Sequence, residues 1–266
     1  MRARSFSMAS LQKEVGTPQD HAVHVWHVRA TEMLSRLGRF TSWLSPREAA
    51  RAGRFRFEKD RVMYLTAHGA LRDILAKYLG ARPESVELDL AESGKPLLAG
   101  KHARSSLAFN MSHSGNLILV AVVRGRKIGV DVEEVRPGFD WESVARFVLP
   151  MQTVEDLKRQ PADLRLAQFL GAWTAVEALA KARGGGLKHP ALGPESRLPW
   201  PLAPRPADPA LGEWDRSAWW LYSLELPEGY VGSVVVEEMS MQRLVPPQVA
   251  PGLTTRACTF SARGSC

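Results

Sequence analysis

The chain holds 266 residues with a formal net charge of +7, 45% hydrophobic and 24% charged. Those are the proportions of a soluble globular protein long enough for one large domain or two small ones with a full core. No apolar run approaches the ~20 residues of a membrane helix, and the basic opening MRARSFSMASLQKEVG lacks the apolar stretch of a secretory signal. The two cysteines, Cys258 and Cys266, lie in the tail and suggest neither a disulfide framework nor a zinc site. The expected location is the cytoplasm, away from membranes.

The charge is uneven. Between Arg47 and Arg82 stand nine Lys/Arg against four Asp/Glu. Such a patch suits nucleic acid, a polyphosphate ligand or an acidic protein, and equally the solvated faces of ordinary helices. No zinc finger or RNA-recognition motif accompanies it, so a nucleic-acid partner is not expected.

The elements read as two similar halves. After about twenty residues expected to be poorly ordered, HAVHVWHVRA (21–30) alternates like a strand. Ser45-Pro46 offers an N-cap followed by a first-turn proline. Residues 61–80 carry Leu65, Leu71, Ile74, Leu75, Tyr78 and Leu79 at helical spacing, with Gly80 placed to end the helix. ESVELDL (84–90) returns to a period of two, and Gly94-Lys95-Pro96 is a turn. FNMSHSGN (109–116) reads as a loop, and residues 116–135 as a two-stranded hairpin turned at Arg124-Gly125. The second half repeats helices and then strands, with a long helix over 165–187 and strands at AWWLYSLELP and GYVGSVVVEEM. The proline-rich 189–214 reads as an extended loop, and the tail from 246 as flexible. The fold class is α+β: an N-terminal half over 21–127 and a C-terminal half over 128–245, each with helices on a small, mostly antiparallel sheet.

Three segments carry chemistry. In IGVDVEEV (128–135), Ile128, Val130 and Val132 share one face, so Gly129, Asp131 and Glu133 share the other. Two neighbouring carboxylates repel unless a cation joins them, and as hard oxygen ligands they suit Mg²⁺ with phosphate oxygens. A solvent-facing acidic strand is the plainer alternative; Glu134 points the other way and is the poorer ligand. Repulsion without a cation implies that Asp131→Ala leaves the fold at least as stable. In WTAVEALAK (173–181), Trp173, Glu177 and Lys181 fall on one helix face. They read either as a helix salt bridge or as a third metal ligand with a lysine on phosphate. In the third segment, Asn110, Ser112 and His113 gather donors and acceptors; no Gly-x-Ser-x-Gly elbow supports a nucleophile there.

GKP at 94–96, FNMSHS at 109–114, GVDVE at 129–133 and WTAVEALAKARGGGL at 173–187, with AHGALRDILAKYLG in place, resemble the 4′-phosphopantetheinyl transferase superfamily. The likeness is to its long, monomeric type, similar to the surfactin-synthetase activator, over roughly residues 20–240. It implies transfer of the phosphopantetheine arm from coenzyme A to a serine of an apo acyl or peptidyl carrier protein, releasing 3′,5′-adenosine bisphosphate. It further implies that Asp131, Glu133 and Glu177 hold Mg²⁺ on the coenzyme A pyrophosphate. Lys95, Pro96, Asn110, Ser112 and His113 then surround the nucleotide and its phosphates, Arg51 lies near the 3′-phosphate, and Lys181 reaches the pyrophosphate. Glu177 or a metal-bound water is the implied base, and a basic surface suits an acidic carrier. A non-catalytic homologue that binds coenzyme A or a carrier is the alternative.

The sequence departs from the family pattern twice. Val176 stands where a lysine is usual, and FVLPMQTVEDL replaces a short F-S-x-x-E signature. A lysine at 176 is expected to reach phosphate on its long stem, so Val176→Lys should tighten coenzyme A binding.

Overall fold

The computed structural model describes residues 3–7, 22–184 and 219–237. Residues 189–214, the tail from 246 and most of the first twenty residues, on which expectations were placed, lie outside these. The N-terminal half runs β1 (Ala3–Ser7), β2 (Val23–Arg29), α1 (Leu37–Ser42), α2 (Pro46–Ala52), α3 (Glu58–Leu79), β3 (Leu88–Leu90), β4 (Pro96–Leu98), β5 (Leu107–Ser114) and β6 (Leu117–Arg124). The C-terminal half runs β7 (Ile128–Glu134), α4 (Trp141–Val148), α5 (Met151–Lys158), α6 (Ala162–Arg183), β8 (Trp219–Ser223) and β9 (Tyr230–Glu237). Among the described residues no helix is long and apolar enough to cross a membrane.

The two halves repeat one plan. In each, a strand precedes a long helix and a later hairpin, and that strand pairs with the last one (β2 with β6, β7 with β9): the sheets run β1-β2-β6-β5 and β7-β9-β8. All pairings are antiparallel except β1 with β2, which runs parallel from Ala3 opposite Val23 to Ser7 opposite His27. One face of the first sheet (Trp26, Val28, Phe109, Ile118, Val120) packs under Leu71, Ile74 and Leu75 of α3. Its other face (Val23, Val25, Leu117, Leu119) meets Ile128, Val130 and Val132 of the second sheet. The second sheet is covered outside by α6, through Ala178, Leu179 and Ala182 against Trp219 and Val235. The layers are helix, sheet, sheet, helix, with α4 and α5 packed beyond α6. This explains why β6 is one unbroken apolar run: it is covered on both faces, and Leu117–Val123 are all buried.

Both long helices end on a left-handed glycine, Gly80 (φ 59) and Gly184 (φ 81), a conformation that costs a residue with a Cβ more. Ser45 caps α2 in a capping box with Glu48, with Pro46 in the first turn.

Three expectations need correction. β6 does not form a hairpin with β7: β2 and β5 already occupy its two edges, so the turn at Gly125 carries the chain from one sheet to the other. The hairpin partner of β6 is β5, joined through Gly115 (φ 55), so FNMSHS is a strand and not a loop. In 84–90, only Leu88–Leu90 is extended, after a 3₁₀ turn at Pro83–Ser85.

Candidate active site

The site grows from the contact between β7 and α6. Gly129 faces the helix, and a Cβ there would overlap the Ala178 carbonyl oxygen and press on the Ala182 nitrogen. Without a side chain at 129 the helix lies directly on the strand. Asp131 and Glu133, on the same strand face as Gly129, thereby come opposite Trp173, Glu177 and Lys181. Thr174 ties the helix to β9 through a 3.0 Å hydroxyl contact with Ser233.

Asp131 is buried, and its Oδ1 accepts from Ser112 Oγ at 2.7 Å and from Lys181 Nζ at 2.5 Å. Lys181 also donates to Ser112 Oγ at 3.1 Å. Glu133 Oε2 accepts from Ser114 Oγ at 2.7 Å. Burial pushes the Glu133 carboxyl up; the Ser114 bond opposes this and the Asp131 charge adds to it. Burial also raises Glu177, against the pull of Lys181 and with the push of Asp131 and Glu133.

Asp131 Oδ2 and Glu177 Oε1 are buried acceptors with no hydrogen-bond partner among the described residues. Orphaned anionic oxygens in a desolvated site are costly alone, and hard oxygen donors of this kind fit a divalent cation such as Mg²⁺. As the side chains lie, however, no three His, Cys, Asp or Glu groups among the described residues stand close enough to hold a metal ion. The Lys181 ammonium supplies the positive charge opposite Asp131.

The N-terminal half contributes from β5 and its neighbours. Asn110, Ser112 and Ser114 alternate along the strand towards β7, and Asn110 Oδ1 accepts from the Val130 amide at 2.8 Å. His113 lies on the other face of β5 and is exposed. Atoms packed around part of the ring hold its pKa below the usual value, helped by Lys181 and His68 and opposed by Asp131. Lys95 does not point into an open cleft: its Nζ donates to the backbone carbonyls of Ile128 at 2.9 Å and Lys181 at 3.0 Å. Pro96 opens β4 opposite Leu90. Arg51 is exposed on α2, its guanidinium 5.6 Å from the centre of the Tyr64 ring.

Val176 is the clearest correction. It is fully buried among Ala145, Leu149, Val154 and Leu157, on the side of α6 turned towards α4 and α5. A lysine there would meet a hydrophobic layer, not phosphate.

Sequence reading missed a supporting network. Glu48 accepts from Arg72 at 2.9 and 2.6 Å, from His68 Nδ1 at 2.8 Å, and from both the amide (2.9 Å) and hydroxyl (2.7 Å) of Ser45. Burial works against the charged Glu48, but the bonds from His68, Arg72 and Ser45 outweigh it and hold the carboxyl far below the usual carboxylate range. His68 packs on Tyr64 with ring centres 4.1 Å apart, so this network supports the ring that Arg51 covers. The capping-box signature, serine followed three residues later by glutamate, was the signal available for Glu48. Beside the acidic pair, a cavity of about 260 Å³ is lined by Glu133, Ser114, Phe139, Phe169, Leu170 and Trp173, among others.

Residues 29–124 match the family described as "4′-phosphopantetheinyl transferase, N-terminal", and residues 127–235 match the "4′-phosphopantetheinyl transferase superfamily". The chain is 42% identical over 166 residues to the 4′-phosphopantetheinyl transferase HetI of Nostoc sp., a match covering 62% of this chain and 70% of that protein. It is 34% identical over 114 residues to the 4′-phosphopantetheinyl transferase AcpT of Salmonella typhi, covering 43% and 56%. It is 30% identical over 152 residues to the 4′-phosphopantetheinyl transferase of Bacillus subtilis, covering 57% and 65%. The matched span is thus under two thirds of the last two relatives, a little over half of the first of them. With a similarity that runs through both halves and across their seam, the chain belongs to the 4′-phosphopantetheinyl transferase superfamily.

Proposed function

We propose that the protein transfers the 4′-phosphopantetheine arm of coenzyme A to a serine hydroxyl of an acyl or peptidyl carrier protein, acting as a cytoplasmic monomer with Mg²⁺. The observation that carries this reading is the set of desolvated carboxylates at the seam. Asp131 and Glu177 keep orphaned oxygens there, and Lys181 donates to both Asp131 and Ser112.

In this reading the serine oxygen forms a bond to the β-phosphorus of coenzyme A. The bond from that phosphorus to the bridging oxygen breaks, and 3′,5′-adenosine bisphosphate leaves. A divalent cation would be held by Asp131, Glu133 and Glu177 only after their side chains draw closer together, and would offset the charge of the pyrophosphate. Lys181 exchanges part of its contact with Asp131 for a phosphate oxygen, a charge-assisted bond. Glu177, in its ionised form, takes the serine proton. Arg51 and His113 supply donors for the nucleotide end, and Asn110 and Ser112 fix β7 and Asp131. The exposed arginines of α2 and the segment after it suit an acidic carrier surface.

The test is incubation of the protein with coenzyme A, Mg²⁺ and a panel of apo carrier proteins, followed by intact-mass measurement of the carriers. At least one carrier should gain the mass of a single phosphopantetheine group, with adenosine bisphosphate released in equal amount. Binding of coenzyme A without any gain on any carrier would favour a non-catalytic homologue.

A further inference from the structure

The Lys95 side chain starts in one half and ends in the other. It leaves a tight turn between β3 and β4, closed by the Gly94 amide on the Ala91 carbonyl (2.8 Å) and the Ala91 amide on the Lys95 carbonyl (2.9 Å), with Gly94 at φ 81. Its ammonium then donates to Ile128, the first residue of β7, and to Lys181, in the last turn of α6. The last carbonyls of a helix are under-satisfied and form the negative end of its dipole, so a cation there is favoured.

These contacts close a circuit. Lys95 holds the backbone of Lys181, the Lys181 side chain holds Asp131, and Asp131 lies three residues along β7 from Ile128, which Lys95 also holds. Gly129 sits inside this loop, where helix and strand touch most closely. Two of the three donors of Lys95 are therefore committed to backbone. Burial, and then the nearby Lys181 charge, lower its pKa to about 8.

We propose that Lys95 is a positioning residue that acts on phosphate binding through Lys181: its ammonium clamps the end of α6 to the start of β7 and so sets where the Lys181 ammonium lies relative to Asp131. This rests on the phosphate-binding role given to Lys181 above and replaces the direct nucleotide contact that the family resemblance implies for the GKP lysine.

The test is a double-mutant cycle read by calorimetric binding of coenzyme A and of 3′-dephospho-coenzyme A, with amide hydrogen exchange on the apoprotein as a second measurement. Lys95→Met should weaken both ligands alike, by about tenfold, the scale of a partly buried cation lost from a helix terminus. Lys95→Met combined with Lys181→Met should bind within about twofold of Lys181→Met alone, because coupled residues are not additive. Exchange should accelerate at Ala182–Gly184 in the Lys95 variant without any ligand. A loss confined to the ligand bearing the 3′-phosphate, or losses that add fully in the double variant, would show direct contact and overturn the proposal. Unchanged exchange at the end of α6 would overturn it as well. A wild type that binds neither ligand would remove the functional reading, while the exchange result would still decide whether Lys95 clamps the helix. Should Lys95→Met fail to fold, Lys95→Gln, which keeps most of the stem, takes its place.

Discussion

Lys181 Nζ and Asp131 Oδ1 meet at 2.5 Å, the lysine side chain 26% exposed and the aspartate 5%. The acidic strand is therefore not a pair of carboxylates left to repel each other; one of them already has a cation. This reverses the expectation that losing Asp131 leaves the fold at least as stable. Asp131→Ala removes the counter-charge of the Lys181 ammonium and the acceptor of the Ser112 hydroxyl proton in a largely desolvated seam. We predict a loss of about 1–3 kcal/mol of apoprotein stability in urea denaturation, the usual cost of an unpaired buried polar group. Transfer activity should vanish as well. An Asp131→Ala protein as stable as wild type would mean that the ion pair contributes nothing.

Glu177 gives a pH signature. Its folded-state pKa is raised by burial, so the folded protein binds more protons than the unfolded chain between the ordinary carboxylate value and the raised one. Stability from this group is present below the ordinary value and is lost as pH rises through that window. Glu177→Gln should therefore stabilise the apoprotein at neutral pH, with the gain shrinking as the medium is acidified. Mn²⁺ binding to the wild type should weaken over the same descent, since a ligating carboxylate must be ionised. Thermal unfolding at several pH values checks the first outcome and electron paramagnetic resonance of added Mn²⁺ the second. A Glu177→Gln gain independent of pH would remove the burial argument.

Val176→Lys should harm the fold rather than improve substrate binding. Val176 is fully buried against α4 and α5, and an ammonium placed there lacks a partner. We predict destabilisation of about 3 kcal/mol or more, in the range for an uncompensated buried charge. The KM for coenzyme A should not fall. A stable variant with a lower KM would show that this face of α6 opens to substrate.

Gly129→Ala tests the contact on which the site is built. Its Cβ would collide with backbone atoms of Ala178 and Ala182, which cannot rotate away as a side chain could. Helix α6 must shift outward, at a cost of about 1–3 kcal/mol typical of overpacking, carrying Glu177 and Lys181 away from Asp131. Activity should fall more than stability. A Gly129→Ala enzyme with wild-type turnover would show that the close approach is not required.

Local periodicity was enough to read most elements and the faces of β7. Ile128, Val130 and Val132 do enter the inter-sheet core, leaving Gly129, Asp131 and Glu133 towards α6. Strand pairing was not legible, because the partner of β7 is β9, about a hundred residues away, and Gly125 marks a turn without saying which sheet follows. The polar run 110–114 concealed a strand: Asn110, Ser112 and Ser114 alternate with Met111 and His113, but the side chains bond to β7 instead of packing in a core. The burial of Val176 depends on where α4 and α5 dock, and nothing within the helix sequence sets that. The commitment of Lys95 to two carbonyls depends on contacts 33 and 86 residues away along the chain.

The most direct test of the account is the rate at which an apo carrier gains mass with wild type and with Glu177→Gln, at saturating coenzyme A and Mg²⁺. The carboxylates at the seam are held to perform the transfer, so wild type should convert the carrier to completion. Folded Glu177→Gln should be slower by at least about a hundredfold, the lower scale for loss of a proton-transfer group. Conversion by Glu177→Gln at the wild-type rate would contradict the account, and so would a wild type that modifies no carrier.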